Sequence, residues 1–226
     1  KEKIYLMGHS FGTFLGIQMA YNHPEYYEAY IAMSQLTNPR ESEEIAAKYM
    51  EDQYRELGNS KKVKEFEKQS SFSDDKAYQE YFNSLLRDGS MHELGVGTMH
   101  TMKSVISGIF LPSLRCKAYS TKERIAIWQG KNFMAATPVG LARTKYNVFE
   151  NITSLEIPIY FFAGEYDYTC CYSLQKKYYE LIQAPLKAFY TFENSAQSPL
   201  YEEPKKAMNI IVKDVLEEKT SLSDHK

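Results

Sequence analysis

Several features that mark common functional classes are scarce in this chain. There are only three cysteines in 226 residues, Cys116, Cys170 and Cys171, an odd number with no metal-ligand spacing. The adjacent pair Cys170-Cys171 admits only a strained vicinal disulfide, so free thiols in a reducing, cytoplasmic setting are expected. No His/Cys/Asp cluster has metal spacing, and no metal or other cofactor is expected. No apolar run approaches the length of a membrane span, and no signal-peptide pattern is visible. Charge of one sign is lacking too. With 27 basic and 29 acidic residues the net charge is −2, which gives no reason to expect a nucleic-acid partner. Aromatics are plentiful at 14 %, 19 of them tyrosine, which favours a folded chain with deep pockets over a disordered one.

Against that background one short segment stands out. Gly8-His9-Ser10-Phe11-Gly12 lies between an apolar run, Ile4-Tyr5-Leu6-Met7, and a helical pattern from Thr13 to Asn22. Strand, sharp turn and helix, with serine at the tip, is the order of a nucleophile elbow in an α/β-hydrolase. Glycines two before and two after the serine are expected to relieve the crowding of so tight a reversal. The serine hydroxyl then stands above the C-terminal edge of a parallel sheet, near the N–H groups that open the helix.

Glu28 to Ser34 predicts a second buried strand, which makes 1–35 a β-α-β unit. From about 36 to 151 the pattern is helical. Glu41–Leu57, Lys61–Gln69 and Asp74–Leu86 predict helices, and Met91–Ser107 and Ser120–Phe133 are weaker candidates. This stretch predicts a helical cap or lid inserted between two strands, with a purely structural helical subdomain as the alternative. Sheet pattern returns at 157–163 and 186–192, separated by a helix over 173–182 and followed by one over 202–218. The tail after Lys219 is polar and expected to fray. The core is thus assigned to 1–35 and 152–226. Its first strand, apolar at consecutive positions, suits the middle of a sheet covered on both faces. The chain opens on Lys1, so a fragment is expected, with residues 3–7 covered by an upstream segment or a second copy.

In such a fold the order is Ser, acid, base, each on a loop after a strand. Asp167 follows the strand 157–163 and is the candidate acid, with Glu165 a weaker rival and a helix N-cap the alternative role. The base belongs in the loop 193–199, which holds no histidine; Gln197 stands in its place. The segments M-G-H-S-F-G (7–12), F-F-A-G-E-Y-D-Y (161–168) and F-E-N-S-A-Q-S-P-L-Y-E-E-P (192–204) resemble the proline iminopeptidase-like branch of the α/β-hydrolase superfamily. The resemblance implies the C-terminal part of a mostly parallel hydrolase sheet with a helical cap. It also implies that Ser10 is the nucleophile, Asp167 the orienting acid and Phe11 N–H an oxyanion donor, with Gln197 where relatives carry the base histidine. A primary amide is no base near neutral pH, so an impaired enzyme is expected. The family's upstream oxyanion loop would precede Lys1, and its lack would compound the loss.

Among the histidines, His9 is expected to pack against neighbouring loops, His23 to lie at the surface and His225 in the tail. His92 and His100 sit in the cap, as candidates to reach down over Ser10. Trp128 is followed by Gln129, so the Trp-Glu signature of some iminopeptidases is missing. Glu93 and Glu123 are candidate cap acids for a substrate amine, and Trp128 and Phe133 candidate pocket walls. A small molecule or short peptide is the expected substrate, with esters, amides and lactones all open. A non-catalytic binding protein of the same fold is the rival reading.

Overall fold

A computed structural model describes residues 2–70 and 72–224. Strand β1 (Ile4–His9) turns at Ser10 into helix α1 (Phe11–Asn22), and β2 (Tyr27–Met33) returns alongside it. Then come α2 (Pro39–Glu56), α3 (Ser60–Gln69), α4 (Asp75–Phe82) and α5 (Leu85–Glu93). A π-helical turn (Ile106–Phe110) runs into α6 (Leu111–Arg115), before α7 (Thr121–Ala135), α8 (Pro138–Thr144) and α9 (Val148–Asn151). The last part is β3 (Ile159–Gly164), α10 (Tyr172–Leu181), β4 (Lys187–Phe192), α11 (Pro199–Glu202), α12 (Pro204–Ile210) and a closing π-helical turn (Ile211–Val215).

The four strands lie in chain order, each parallel to its neighbour. Alternation along β3 explains how the layers form. Ile159, Phe161 and Ala163 face one core with Phe14, Ile17 and Ala20 of α1 and Tyr178 of α10. Tyr160 and Phe162 face the other, with Ala207 and Ile210 of α12 and Val215. A strand buried on both faces needs apolar residues at every position, which is why 157–163 reads as an unbroken run. Helices α2 to α5 enclose a core of their own around Met50, Tyr54, Phe66, Tyr81 and Met91. Tyr49 of α2 stacks on Tyr168, 4.1 Å between centroids, and so ties that core to the loop after β3.

β1 is an edge strand of this sheet, with Ile4, Tyr5 and Met7 exposed, the edge for which a cover over residues 3–7 is expected. Several other expectations need correction. The expected helix 74–86 breaks at Asn83, because Ser84 caps a new helix by accepting from Arg87 N–H at 3.1 Å. Residues 91–107 form no single helix: α5 stops at Glu93, Gly95 follows with φ of 72°, and the π-helical turn begins at Ile106. Helices α8 and α9 were not foreseen. The C-terminal tail is docked through residue 224, not frayed: Asp224 N–H donates to Phe189 O at 2.9 Å and Thr191 N–H to Asp224 Oδ2 at 2.6 Å.

Two glycines show how tightly the strand ends are packed. A Cβ on Gly8 would lie 2.7 Å from Gly12 O, and one on Gly164 only 1.9 Å from Ala196 O, where the loops leaving β3 and β4 cross. At Gly12 a Cβ would meet nothing within 4 Å, so only the first of the two flanking glycines is sterically required. Gly164→Ala should therefore cost at least about 2 kcal/mol in urea unfolding. Gly12→Ala should be neutral or stabilising by up to about 1 kcal/mol, since a helical position loses less backbone entropy with alanine.

Candidate active site

Ser10 is one of three non-glycine residues with positive φ among those described, at φ 52° and ψ −116°. Such backbone costs of order 1–3 kcal/mol and persists only where its surroundings impose it. Here they do: Ser10 N–H donates to Met33 O at 3.0 Å, and Thr13 N–H and Oγ1 both donate to Ser10 O, at 2.9 and 2.5 Å. Thr13 Oγ1 in turn accepts from Leu36 N–H at 2.8 Å, so the turn is locked to the end of β2. Phe11 opens α1, where no earlier turn supplies an acceptor for its N–H.

Gln197 reaches this serine. Its Nε2 donates to Ser10 Oγ at 2.8 Å and lies 3.5 Å from Cys170 Sγ. The backbone of Gln197 is held from three sides. His9 Nε2 donates to its carbonyl at 2.7 Å, Ser34 Oγ does so at 2.9 Å, and Gln197 N–H donates to Gly97 O at 3.3 Å. The acidic pair of α11 fixes the approach to it. Glu203 Oε1 accepts from Asn194 N–H and Ser195 Oγ, at 2.9 and 2.8 Å. Glu202 accepts from Ala196 N–H at 2.9 Å and, with its other oxygen, from His100 N–H at 2.5 Å. Sequence reasoning noticed these glutamates but not their task, since each pairs with residues outside its own helix.

Asp167 is fully buried, whereas Glu165 points to solvent. Its Oδ1 accepts from Thr169 and Cys170 N–H, at 3.0 and 2.8 Å, and Oδ2 accepts from Gln175 Nε2 at 3.2 Å. It makes no hydrogen bond to Gln197 among the described residues. Burial pushes its carboxyl up to about 6, only partly opposed by these donors and the Ser34 hydroxyl. Burial, and then the Asp167 charge, also push the Cys170 thiol up, so it stays uncharged beside the serine.

The other histidines do not fill the base position. His9 is lowered by burial and is committed to Gln197 O. His92 lines the cavity, with Nδ1 on Asp88 O at 2.7 Å and Nε2 3.4 Å from Thr98 Oγ1. His100 stacks on Tyr166 and bonds Gly95 O at 2.8 Å. His23 is exposed beside Glu25, and His225 lies outside the described residues. Among the described residues no His/Cys/Asp/Glu group suits a metal ion, and no helix is long and apolar enough to cross a membrane.

Ser10, Phe11, Cys170 and Gln197 open into a cavity of about 500 Å³ roofed by residues from the helices between β2 and β3. Trp128 lines it, its Nε1 donating to Ser113 Oγ at 2.9 Å. Phe133 does not: it is 74 % exposed on the outer side of α7. Nor do the candidate cap acids. Glu93 accepts from Tyr54 Oη at 2.7 Å, and Glu123 closes the capping box of α7 with Ser120. The acids within the cavity wall are Glu43, held by Arg87, and Asp88, which is more than half exposed.

A strained serine turn, a buried aspartate on the loop after β3 and a third side chain on the loop after β4 lie at one rim of a parallel sheet. Comparison with solved structures agrees with that topology. A protein described as Est816, an N-acyl homoserine lactone degrading enzyme, superposes with a TM-score of 0.55 at 14 % identity, over 93 % of this chain and 67 % of its own. Proline iminopeptidase from Mycobacterium smegmatis gives 0.52 at 14 %, over 96 % and 66 %. The chain has the α/β-hydrolase fold. The model of the prolyl oligopeptidase family matches residues 1–93 of this α/β-hydrolase-fold chain. The probable aminopeptidase YbaC of Bacillus subtilis (strain 168) is 26 % identical over 211 residues, 93 % of this chain. The chain spans 64 % of that relative's length.

The buried acid sets a pH dependence. Its folded value, about 6, lies above the ordinary 3.8, so the folded state holds the proton more tightly than the unfolded one. The resulting stability is full below the ordinary value and is lost as pH rises through about 6. By about pH 7.5 the loss should approach 3 kcal/mol. Asp167→Asn should flatten this part of the profile between about pH 4.5 and 7.5 in urea unfolding, measured as the difference from wild type. An unchanged slope would show that the carboxyl is not the group titrating.

Proposed function

We propose that the chain carries the acyl-transfer site of a serine hydrolase of aminopeptidase or esterase type, impaired by the amide at position 197. Ser10 is the nucleophile, Asp167 the orienting acid and Phe11 N–H a donor to the developing oxyanion. The observation that carries this reading is the 2.8 Å contact between Gln197 Nε2 and Ser10 Oγ, the hydrogen-bond reach that a general base at position 197 would need. In a competent enzyme that base takes the hydroxyl proton as Oγ attacks the carbonyl carbon. It then gives the proton to the leaving group, and water releases the acyl-enzyme. The amide of Gln197 cannot take a proton near neutral pH, whichever of its two ends faces the serine. Asp167 is left without the imidazolium that its charge would stabilise, which accords with its raised carboxyl. The substrate is a small molecule or short peptide, as the cavity size and the hydrolase names of the relatives support.

A second reading is favoured by the same residue: an α/β-hydrolase-fold protein that binds a ligand over Ser10 without turning it over. Gln197→His separates the two. Under the hydrolase reading, kcat/KM toward p-nitrophenyl acetate or alanine and proline p-nitroanilides should rise about a thousandfold over wild type, and Ser10→Ala should remove the gain. A folded Gln197→His protein with no gain on any of these substrates would support the binding reading.

A further inference from the structure

The charged groups around the Ser10 cavity do not balance. Glu43 and Arg87 close on each other: Arg87 Nε donates to Glu43 Oε2 at 3.0 Å and Nη2 to Oε1 at 2.5 Å, with both side chains largely buried. A bidentate pair of this kind leaves neither partner available to a ligand without losing strong bonds. Asp88 is more than half exposed and lies 3.7 Å from His92 Nδ1. Lys131 is exposed, over the Trp128 ring. What remains is Arg143 of α8. It is half-buried in the cavity wall, its Cζ 5.1 Å from the centre of the Phe82 ring, whose other cationic neighbour is Arg87 at 4.9 Å. Among the described residues the Arg143 guanidinium makes no hydrogen bond and no ion pair.

We propose that Arg143 is a substrate-binding residue that holds a carboxylate on the acyl or leaving part of the ligand in the Ser10 cavity. The inference rests on the hydrolase or ligand-binding reading of that cavity and names the substrate class within it. A planar guanidinium held against an aromatic face presents its donors as a fork that suits a carboxylate better than a point cation does. Its partial burial without a counter-charge is a cost that an anionic ligand removes. Arg143 lines the same cavity as Ser10, Cys170 and Gln197. The carboxylates of the wall are less available to a ligand ammonium group: Glu43 is committed to Arg87, and Asp88 is more than half exposed beside His92.

The test measures binding and needs no turnover. Phenylacetate, its neutral analogue phenylacetamide and the cation benzylamine are titrated calorimetrically into the wild-type chain and into Arg143→Gln, Arg143→Lys and Lys131→Gln. Phenylacetate should bind at least about tenfold tighter than phenylacetamide. That preference should vanish in Arg143→Gln, be partly kept in Arg143→Lys, persist in Lys131→Gln and weaken only modestly with salt. Equal binding of acid and amide, tighter binding of benzylamine, absence of phenylacetate binding at millimolar concentration, or loss of the preference in Lys131→Gln alone would each overturn the proposal. Ser10→Ala should leave the preference intact. A carboxylate preference alongside an inactive Gln197→His protein would count against the catalytic reading only.

Discussion

The site depends on the hydrogen bond between Gln197 Nε2 and Ser10 Oγ, because it joins two segments 187 residues apart at one rim of the sheet. Each end of that bond is imposed by the fold. Ser10 is forced to φ 52° by the close passage of Gly8 over Gly12 and by three hydrogen bonds on its own backbone. Gln197 is forced forward by the crossing at Gly164 and Ala196 and by the carboxylates of Glu202 and Glu203 below the loop. Burial of strands β2 and β3 supplies the rigidity, since both faces of β3 are packed against helices.

On the proposed reading the chemistry turns on the side chain at position 197. The buried carboxylate of Asp167 would stabilise a cation there. With an amide in that place no positive charge offsets the burial that raises the carboxyl's affinity for a proton. On the proposed reading, stability and reactivity then depend on the same position. Arg143, on the proposal above, belongs to the same electrostatic account: its guanidinium lies against Phe82 and has no ion-pair partner among the described residues.

Short-range chemistry was readable along the chain. Gly8 to Gly12 announces a turn because its sterics are local, and the unbroken apolar run before Asp167 announces a strand buried on both faces. That Gln197 lies beside Ser10 could be expected because the loop after the last parallel strand leaves the same sheet edge as the serine turn. What escaped notice depends on long-range contacts. Glu202 and Glu203 look like a solvated pair until the loop they hold is known. Arg143 sits on a helix of seven residues whose signal is a threonine cap and a proline. Phe133 and Trp128 are five apart on α7, so they fall on different faces, and only the tryptophan turns inward. The break at Gly95 was missed because apolar spacing continues through 91–107 while the backbone does not.

The most direct measurement is the rate at which a fluorophosphonate labels Ser10, followed by mass spectrometry across pH. The wild-type chain is expected to react slowly, with no inflection between about pH 6 and 8. The Gln197→His protein should react at least about a hundredfold faster, with a rise through neutrality as the imidazole loses its proton. Wild-type labelling as fast as that of Gln197→His, or labelling at a residue other than Ser10, would contradict the account.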